Sequence, residues 1–183
     1  FQNITRGESN LLFSGHIIDT LKDGTTIEDI SKSLISLDLS KFSDYEICSS
    51  VVHIDPPKVS LYSSSKLSEI LSDENSNLTV KLISLTDYDE NDKIWSGIGD
   101  YLIDVSNTIY ENLNYSIADS SENELIIDLP DLFISEDSTT LICEDNNVNL
   151  LIEYSPNDMD SIQHIEWYSS DFEYGNSLTP KIN

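Results

Sequence analysis

Residues that could support catalysis are few and scattered in this chain of 183 residues. The three histidines, His16, His53 and His164, are far apart in the sequence, and none belongs to a catalytic or metal-binding motif. Gly97-Ile98-Gly99 lacks the further glycine and the lysine of a phosphate-binding loop, and Ser63-Ser64-Ser65 lacks the pattern of a nucleophile elbow. The sequence therefore predicts that the protein is not an enzyme and uses no cofactor.

A cluster of acidic residues at Asp87, Asp89, Glu90 and Asp92 contains the oxygen ligands that calcium prefers. Asp87, Asp89 and Asn91 begin the ligand spacing of an EF-hand loop. The central glycine and the terminal glutamate of such a loop do not follow at the required positions. We interpret these residues as solvated loop acids, and the sequence predicts no metal site.

The two cysteines, Cys48 and Cys143, are too far apart in the sequence for a clustered metal-binding motif. Because the chain has no other cysteine, we expect them to form a disulfide that joins the last third of the chain to the first third. The alternative is a pair of buried free thiols.

The formal net charge is −25, from 34 acidic and nine basic residues. This charge makes nucleic acid and anionic membranes poor partners, so any charged partner is expected to be basic. Solubility alone is the simpler explanation of the charge. No apolar run approaches the ~20 residues that would span a bilayer, so we expect no membrane insertion.

Three Asn-X-Ser/Thr sequons, at Asn3, Asn77 and Asn114, are candidate glycosylation sites and a weak indication of secretion. The chain begins at Phe1 rather than at a methionine, which is typical of a mature protein or of a segment of a longer one.

Alternating apolar residues predict β-strands along most of the chain. Val148, Leu150, Ile152 and Tyr154 fall on one face of a strand, and Leu151 interrupts the polar face, which indicates a central strand. Further strands or extended segments are predicted at Leu11–Leu21, Leu34–Leu39, Ile47–Ile54, Lys58–Tyr62, Leu78–Leu85, Tyr115–Ile117, Glu124–Leu129 and Met159–Tyr168.

Two segments are harder to interpret. Thr26–Ser33, after a turn signal at Asp23-Gly24, is predicted to be a short helical turn or a loop. Tyr101–Ile109 has the spacing of both a helix and a strand. Together the patterns predict an all-β fold, a two-sheet antiparallel β-sandwich with long acidic loops and one or two short helices. Residues 1–10 are expected to be a linker or tail, and residues 11–183 a single domain.

Three stretches resemble the poxvirus secreted chemokine-binding proteins, in the same order and at similar intervals. They are YEICSSVVHI at 45–54, LTVKLISL at 78–85, and the segment 143–174 that begins CEDNNVNLLIEY. This family contains free chemokine inhibitors. It also contains the SECRET domain, the C-terminal chemokine-binding domain of poxvirus decoy tumour-necrosis-factor receptors.

The resemblance implies a two-sheet β-sandwich that is secreted, binds basic host chemokines and blocks their receptor engagement. The free inhibitors carry several disulfides, whereas this chain can form one, so it is more similar to the SECRET branch. Residues 1–10 would then be the linker from an N-terminal cysteine-rich tumour-necrosis-factor receptor module.

In the resembled family, one exposed sheet and the acidic loops beside it contact the chemokine. The positions that this resemblance assigns to chemokine binding are Tyr62, Asp104, Ser106, Asn107, Thr140 and Ile142, with Asp73, Glu74 and Asn77 beside them. Core packing is the alternative for Tyr62 and Ile142. A glycan on Asn77 would obstruct a contact there.

Two other functions are alternatives to a viral decoy for chemokines. The first is a related poxvirus β-sandwich that binds a cytokine or a class I histocompatibility molecule. The second is an intracellular acidic domain that interacts with basic proteins.

Overall fold

A computed structural model describes residues 11–38, 58–72, 77–85, 106–130, 147–156, 163–169 and 177–182. They form two antiparallel sheets packed across one hydrophobic core, so the predicted all-β sandwich is confirmed. The elements are β1 (Leu11–Thr20), β2 (Thr26–Asp38), β3 (Lys58–Tyr62), α1 (Leu67–Ile70), β4 (Asn77–Leu85), β5 (Ser106–Tyr110), β6 (Tyr115–Ile117), β7 (Glu124–Asp128), β8 (Asn147–Ser155), β9 (Gln163–Tyr168) and β10 (Lys181–Ile182).

One sheet has six strands in the order β5-β4-β8-β2-β1-β9, and the other has four in the order β10-β3-β7-β6. Alternate residues of β3, β7 and β8 enter the space between the sheets, as the pleat of a strand requires. Val59 and Leu61 of β3 and Leu125 and Ile127 of β7 are fully buried there. Leu67 of the short helix α1 adds a further buried side chain to the same core.

Strand β8 lies near the middle of the six-stranded sheet, between β4 and β2. Leu150 is opposite Leu82 on one neighbour and opposite Ile35 on the other, and all three belong to the core. Leu151, on the other face of the strand, is also buried. The prediction that this segment is a central strand is confirmed.

The first hairpin corrects one prediction. Thr26–Ser33, expected to be a helical turn or loop, is the first part of β2, which pairs with β1 from Thr20↔Thr26 to Gly15↔Ser31. The reversal is at Asp23-Gly24, as predicted, with Gly24 at φ 86° and its N–H donating to the Leu21 carbonyl at 2.9 Å. A glycine tolerates this left-handed conformation, so the turn brings the next residues directly onto β1.

The described residues cover only part of the other predicted segments. Ser106–Tyr110 is a strand, which settles the ambiguity at that end of Tyr101–Ile109, while 101–105 lies outside the described residues. The strand predicted at Ile47–Ile54 also lies outside them, as do Cys48, Cys143 and the expected linker at 1–10.

Within the described residues, hydrogen bonds join the two sheets on both sides of the sandwich. On one side, the Leu113 N–H donates to the Val80 carbonyl of β4 at 2.8 Å, as the chain passes from β5 to β6. On the other, the Ser64 N–H donates to the Glu166 carbonyl of β9 at 3.0 Å, just after β3 ends. These contacts limit movement of one sheet relative to the other.

A buried polar network links four strands of the six-stranded sheet. Ser14 Oγ accepts a hydrogen bond from Trp167 Nε1 at 3.1 Å. It lies 2.9 Å from Ser33 Oγ and 3.1 Å from the Ile152 carbonyl oxygen, and its single proton can be donated to one of these two. Ser14 and Trp167 are fully buried, so the network satisfies polar groups that water does not reach.

We expect Ser14→Ala to lower the free energy of unfolding by about 1–3 kcal/mol, because the buried Trp167 N–H loses its acceptor. Ser36→Ala is the matched control, since Ser36 is exposed on β2. Urea denaturation of both variants checks the prediction. Equal stability of the two variants would contradict a structural role for the network.

Candidate functional site

Tyr62 lies on the outer face of the four-stranded sheet, at the end of β3. Because Val59 and Leu61 of the same strand enter the core, the alternation directs Tyr62 away from it. Its hydroxyl donates to Glu124 Oε1 at 3.2 Å, and Glu124 is its direct partner on β7. The core-packing alternative for Tyr62 is therefore wrong, and the side chain is half-buried at the surface.

A cationic group lies against Tyr62. The Lys181 ammonium group is 5.5 Å from the centre of the Tyr62 ring, and it donates to the Ser177 carbonyl at 2.8 Å. Burial raises the pKa of the Tyr62 phenol, and the adjacent Glu124 carboxylate raises it further. An aromatic ring beside a carboxylate is an arrangement that attracts ammonium and guanidinium groups.

The rest of this outer face follows from the pairing of β3 with β7. We define the Tyr62 face by the side chains that the pleat places on the side of these strands away from the core, which are Lys58, Ser60, Tyr62, Glu124, Ile126 and Asp128. Ser60 is buried, and the other five are half-buried or exposed. At the end opposite Tyr62, Lys58 Nζ forms an exposed ion pair with Asp128 at 3.1 Å. The face thus carries one aromatic side chain and carboxylates at both ends.

The other predicted contact residues within the described ranges belong to the six-stranded sheet. Asn77 begins β4 and is exposed, and Ser106 and Asn107 are paired with Leu85 and Ser84 in the terminal strand β5. The structure does not bring them onto the same sheet as Tyr62. The family resemblance placed these positions on the same surface as Tyr62, and local patterns do not show which strands share a sheet.

Several predicted positions lie outside the described residues. They are Asp73, Glu74, Asp104, Thr140 and Ile142 among the contacts, Cys48 and Cys143 of the expected disulfide, and the sequon at Asn3. Their assignments stay predictions. The other two sequon asparagines, Asn77 and Asn114, are both exposed.

An ion-pair network that sequence analysis missed lies on the outer face of the six-stranded sheet. Glu153 of β8 is paired with Lys32 of β2 on one side, and with Lys81 of β4 at 2.9 Å on the other. Lys81 also contacts Glu111 at 3.3 Å. Lys32, Lys81 and Glu153 are far apart in the sequence, and the pairing of β8 with β2 and β4 brings them together.

This network changes the ionisation of its members. Burial raises the pKa of Glu153, but hydrogen bonds from Lys32 and Lys81 outweigh it, so the pKa lies below its usual range. The hydrogen bond to Glu153 raises the pKa of Lys81. Because folding lowers the pKa of Glu153, its ionised carboxylate stabilises the folded protein at pH values above its ordinary pKa of 4.5. This stabilisation is lost as the pH falls through the lower pKa that Glu153 has in the folded protein.

Within the described ranges, no helix has the length and apolar character needed to cross a membrane. Among the same residues, no group of three His, Cys, Asp or Glu side chains lies close enough together to hold a metal ion.

Comparison with models of known protein families finds no match for this chain, and neither does comparison with curated proteins. The resemblance to the chemokine-binding family is therefore carried by the three quoted stretches alone.

We expect Glu153→Gln to lower the free energy of unfolding by about 1–2 kcal/mol at neutral pH, because Lys32 and Lys81 both lose the Glu153 carboxylate and Lys81 keeps only the exposed Glu111. The difference from the parent protein should narrow as the pH falls below about 4.5, where Glu153 takes up a proton in the unfolded chain, and should disappear once Glu153 is also protonated in the folded protein. Urea denaturation at several pH values measures both effects.

Glu122→Gln is the control, because it removes the same charge from an exposed pair with Lys66. Its effect should be smaller at every pH. A pH-independent loss of stability in Glu153→Gln would contradict the role assigned to the network.

Proposed function

We propose that this chain is a secreted viral immune-evasion domain that binds basic host chemokines and blocks their receptor engagement. The observation that carries the proposal is the Tyr62–Glu124 pair, an aromatic ring and a carboxylate on an outer sheet face with an ammonium group already against the ring. Partner recognition is proposed to use this Tyr62 face.

The arrangement of charge supports a basic partner. Four lysines of the described part, Lys32, Lys58, Lys66 and Lys81, each lie within ion-pair distance of a carboxylate of the same chain. Much of the small positive charge is thus neutralised internally, in a chain whose net charge is −25. The remaining negative field would attract a basic protein from a distance and accelerate its association.

The fold is consistent with the same proposal. A two-sheet antiparallel β-sandwich is the architecture that the resembled family implies, and the described residues have that architecture. A chemokine held through its basic surface would have that surface covered, which is how binding would block receptor engagement. Long-range charge would increase the association rate, and an aromatic contact residue such as Tyr62, covered by the partner on binding, would contribute affinity.

We expect immobilised protein to bind a subset of basic chemokines with one-to-one stoichiometry in surface plasmon resonance. Raising the salt from about 0.05 to about 0.5 M should weaken binding by about tenfold, mainly through slower association. Tyr62→Ala should weaken binding by a further tenfold or so, mainly through faster dissociation.

Tyr110→Ala is the matched control, since Tyr110 is 40% exposed in β5 of the other sheet. If Tyr110→Ala weakens binding and Tyr62→Ala does not, the contact lies at the β5 edge, near Ser106 and Asn107. If no chemokine in the panel binds, the chemokine proposal is wrong. Capture of a cytokine or a class I histocompatibility molecule by the same surface would then support the related-sandwich alternative.

A further inference from the structure

Two sequons lie beside each other on one edge of the sandwich. Asn77-Leu78-Thr79 begins β4, and Asn114-Tyr115-Ser116 leads into β6, which ends the described order of the four-stranded sheet. The hydroxyl of Tyr115 donates to the Leu78 carbonyl at 3.1 Å, so the middle residues of the two sequons are in direct contact. Sequence separation of 37 positions hides this proximity.

The acceptor groups of both sequons are accessible in the folded chain. Asn77 and Asn114 are exposed, as is Ser116, while Thr79 is half-buried. Asn77 Nδ2 lies 3.5 Å from Thr79 Oγ1, a weak contact within its own sequon. The Asn114 backbone carbonyl accepts a hydrogen bond from the Asp128 N–H at 2.9 Å, which holds this sequon in place without using its side chain.

We propose that Asn77 and Asn114 both carry N-linked glycans, which together cover the edge formed by the start of β4 and by β6. In this modification the asparagine Nδ2 forms a bond to the anomeric carbon of a lipid-pyrophosphate-linked oligosaccharide. The bond from that carbon to the pyrophosphate breaks, and the amide loses one proton. The proposal rests on the secreted location in the proposed function, because the oligosaccharide donor is met in the secretory pathway.

The glycans would restrict where a protein partner can bind. A glycan on Asn77 excludes the direct partner contact that the family resemblance assigns to that residue. Asn114 lies beside Asp128, whereas Glu124 and Tyr62 lie at the opposite end of β7 and β3. A partner would therefore approach the Tyr62 end of the face, where no described sequon lies.

The test is the occupancy of each asparagine in the whole chain, secreted from mammalian cells behind a heterologous signal peptide. Enzymatic release of N-glycans in ¹⁸O-water converts each occupied asparagine to ¹⁸O-labelled aspartate, which peptide mass spectrometry locates. We expect label at both Asn77 and Asn114. Thr79→Ala should abolish the label at Asn77 alone, and Ser116→Ala the label at Asn114 alone.

Thr79→Ser is the matched control, because it changes the same side chain and keeps the sequon, so Asn77 should stay labelled. An unlabelled Asn77 or Asn114 in the secreted, folded parent protein would overturn the proposal. This readout is independent of chemokine binding, so failure of the glycosylation proposal and failure of the proposed function can be told apart.

Discussion

The four side chains that β8 directs into the core, Val148, Leu150, Ile152 and Tyr154, are each at most 2% exposed. Each of them is opposite an apolar residue on at least one neighbouring strand, Leu37 or Ile35 of β2 or Leu82, Val80 or Leu78 of β4. The four-stranded sheet packs against the same core. Hydrophobic burial of this kind is the main favourable contribution to folding. The Ile152 carbonyl also lies at hydrogen-bond distance from Ser14, so the position of β1 depends on the same strand.

The same pairing determines where the charges lie. Because β8 separates β2 from β4, Glu153 is placed between Lys32 and Lys81 and uses two of the chain's nine basic residues. Across the sandwich, the register of β3 and β7 places Glu124 beside Tyr62. The proposed partner surface is thus a consequence of strand register on a strongly acidic chain, rather than of a local sequence motif.

Local patterns predicted the strands whose core-facing side is marked by an unbroken series of apolar residues, and they failed where polar residues interrupt that series. Val148–Tyr154 could be identified as a central strand because its burial is visible as period-two alternation. Thr26–Ser33 contains the polar residues Glu28 and Asp29, so its sequence does not have a strand pattern. It forms a strand because it pairs with β1, and such pairing between separate segments cannot be read from the local sequence. Tyr62 and Glu124 are 62 positions apart, so no local pattern indicates their contact.

The most direct test of the account is a ¹⁵N–¹H NMR titration of the unglycosylated protein with a basic chemokine that it binds. The account predicts that amide shift changes are largest at Tyr62 and Glu124, and that they are small along β1 and β2. Changes confined to the six-stranded sheet would contradict the assignment of the Tyr62 face as the partner surface.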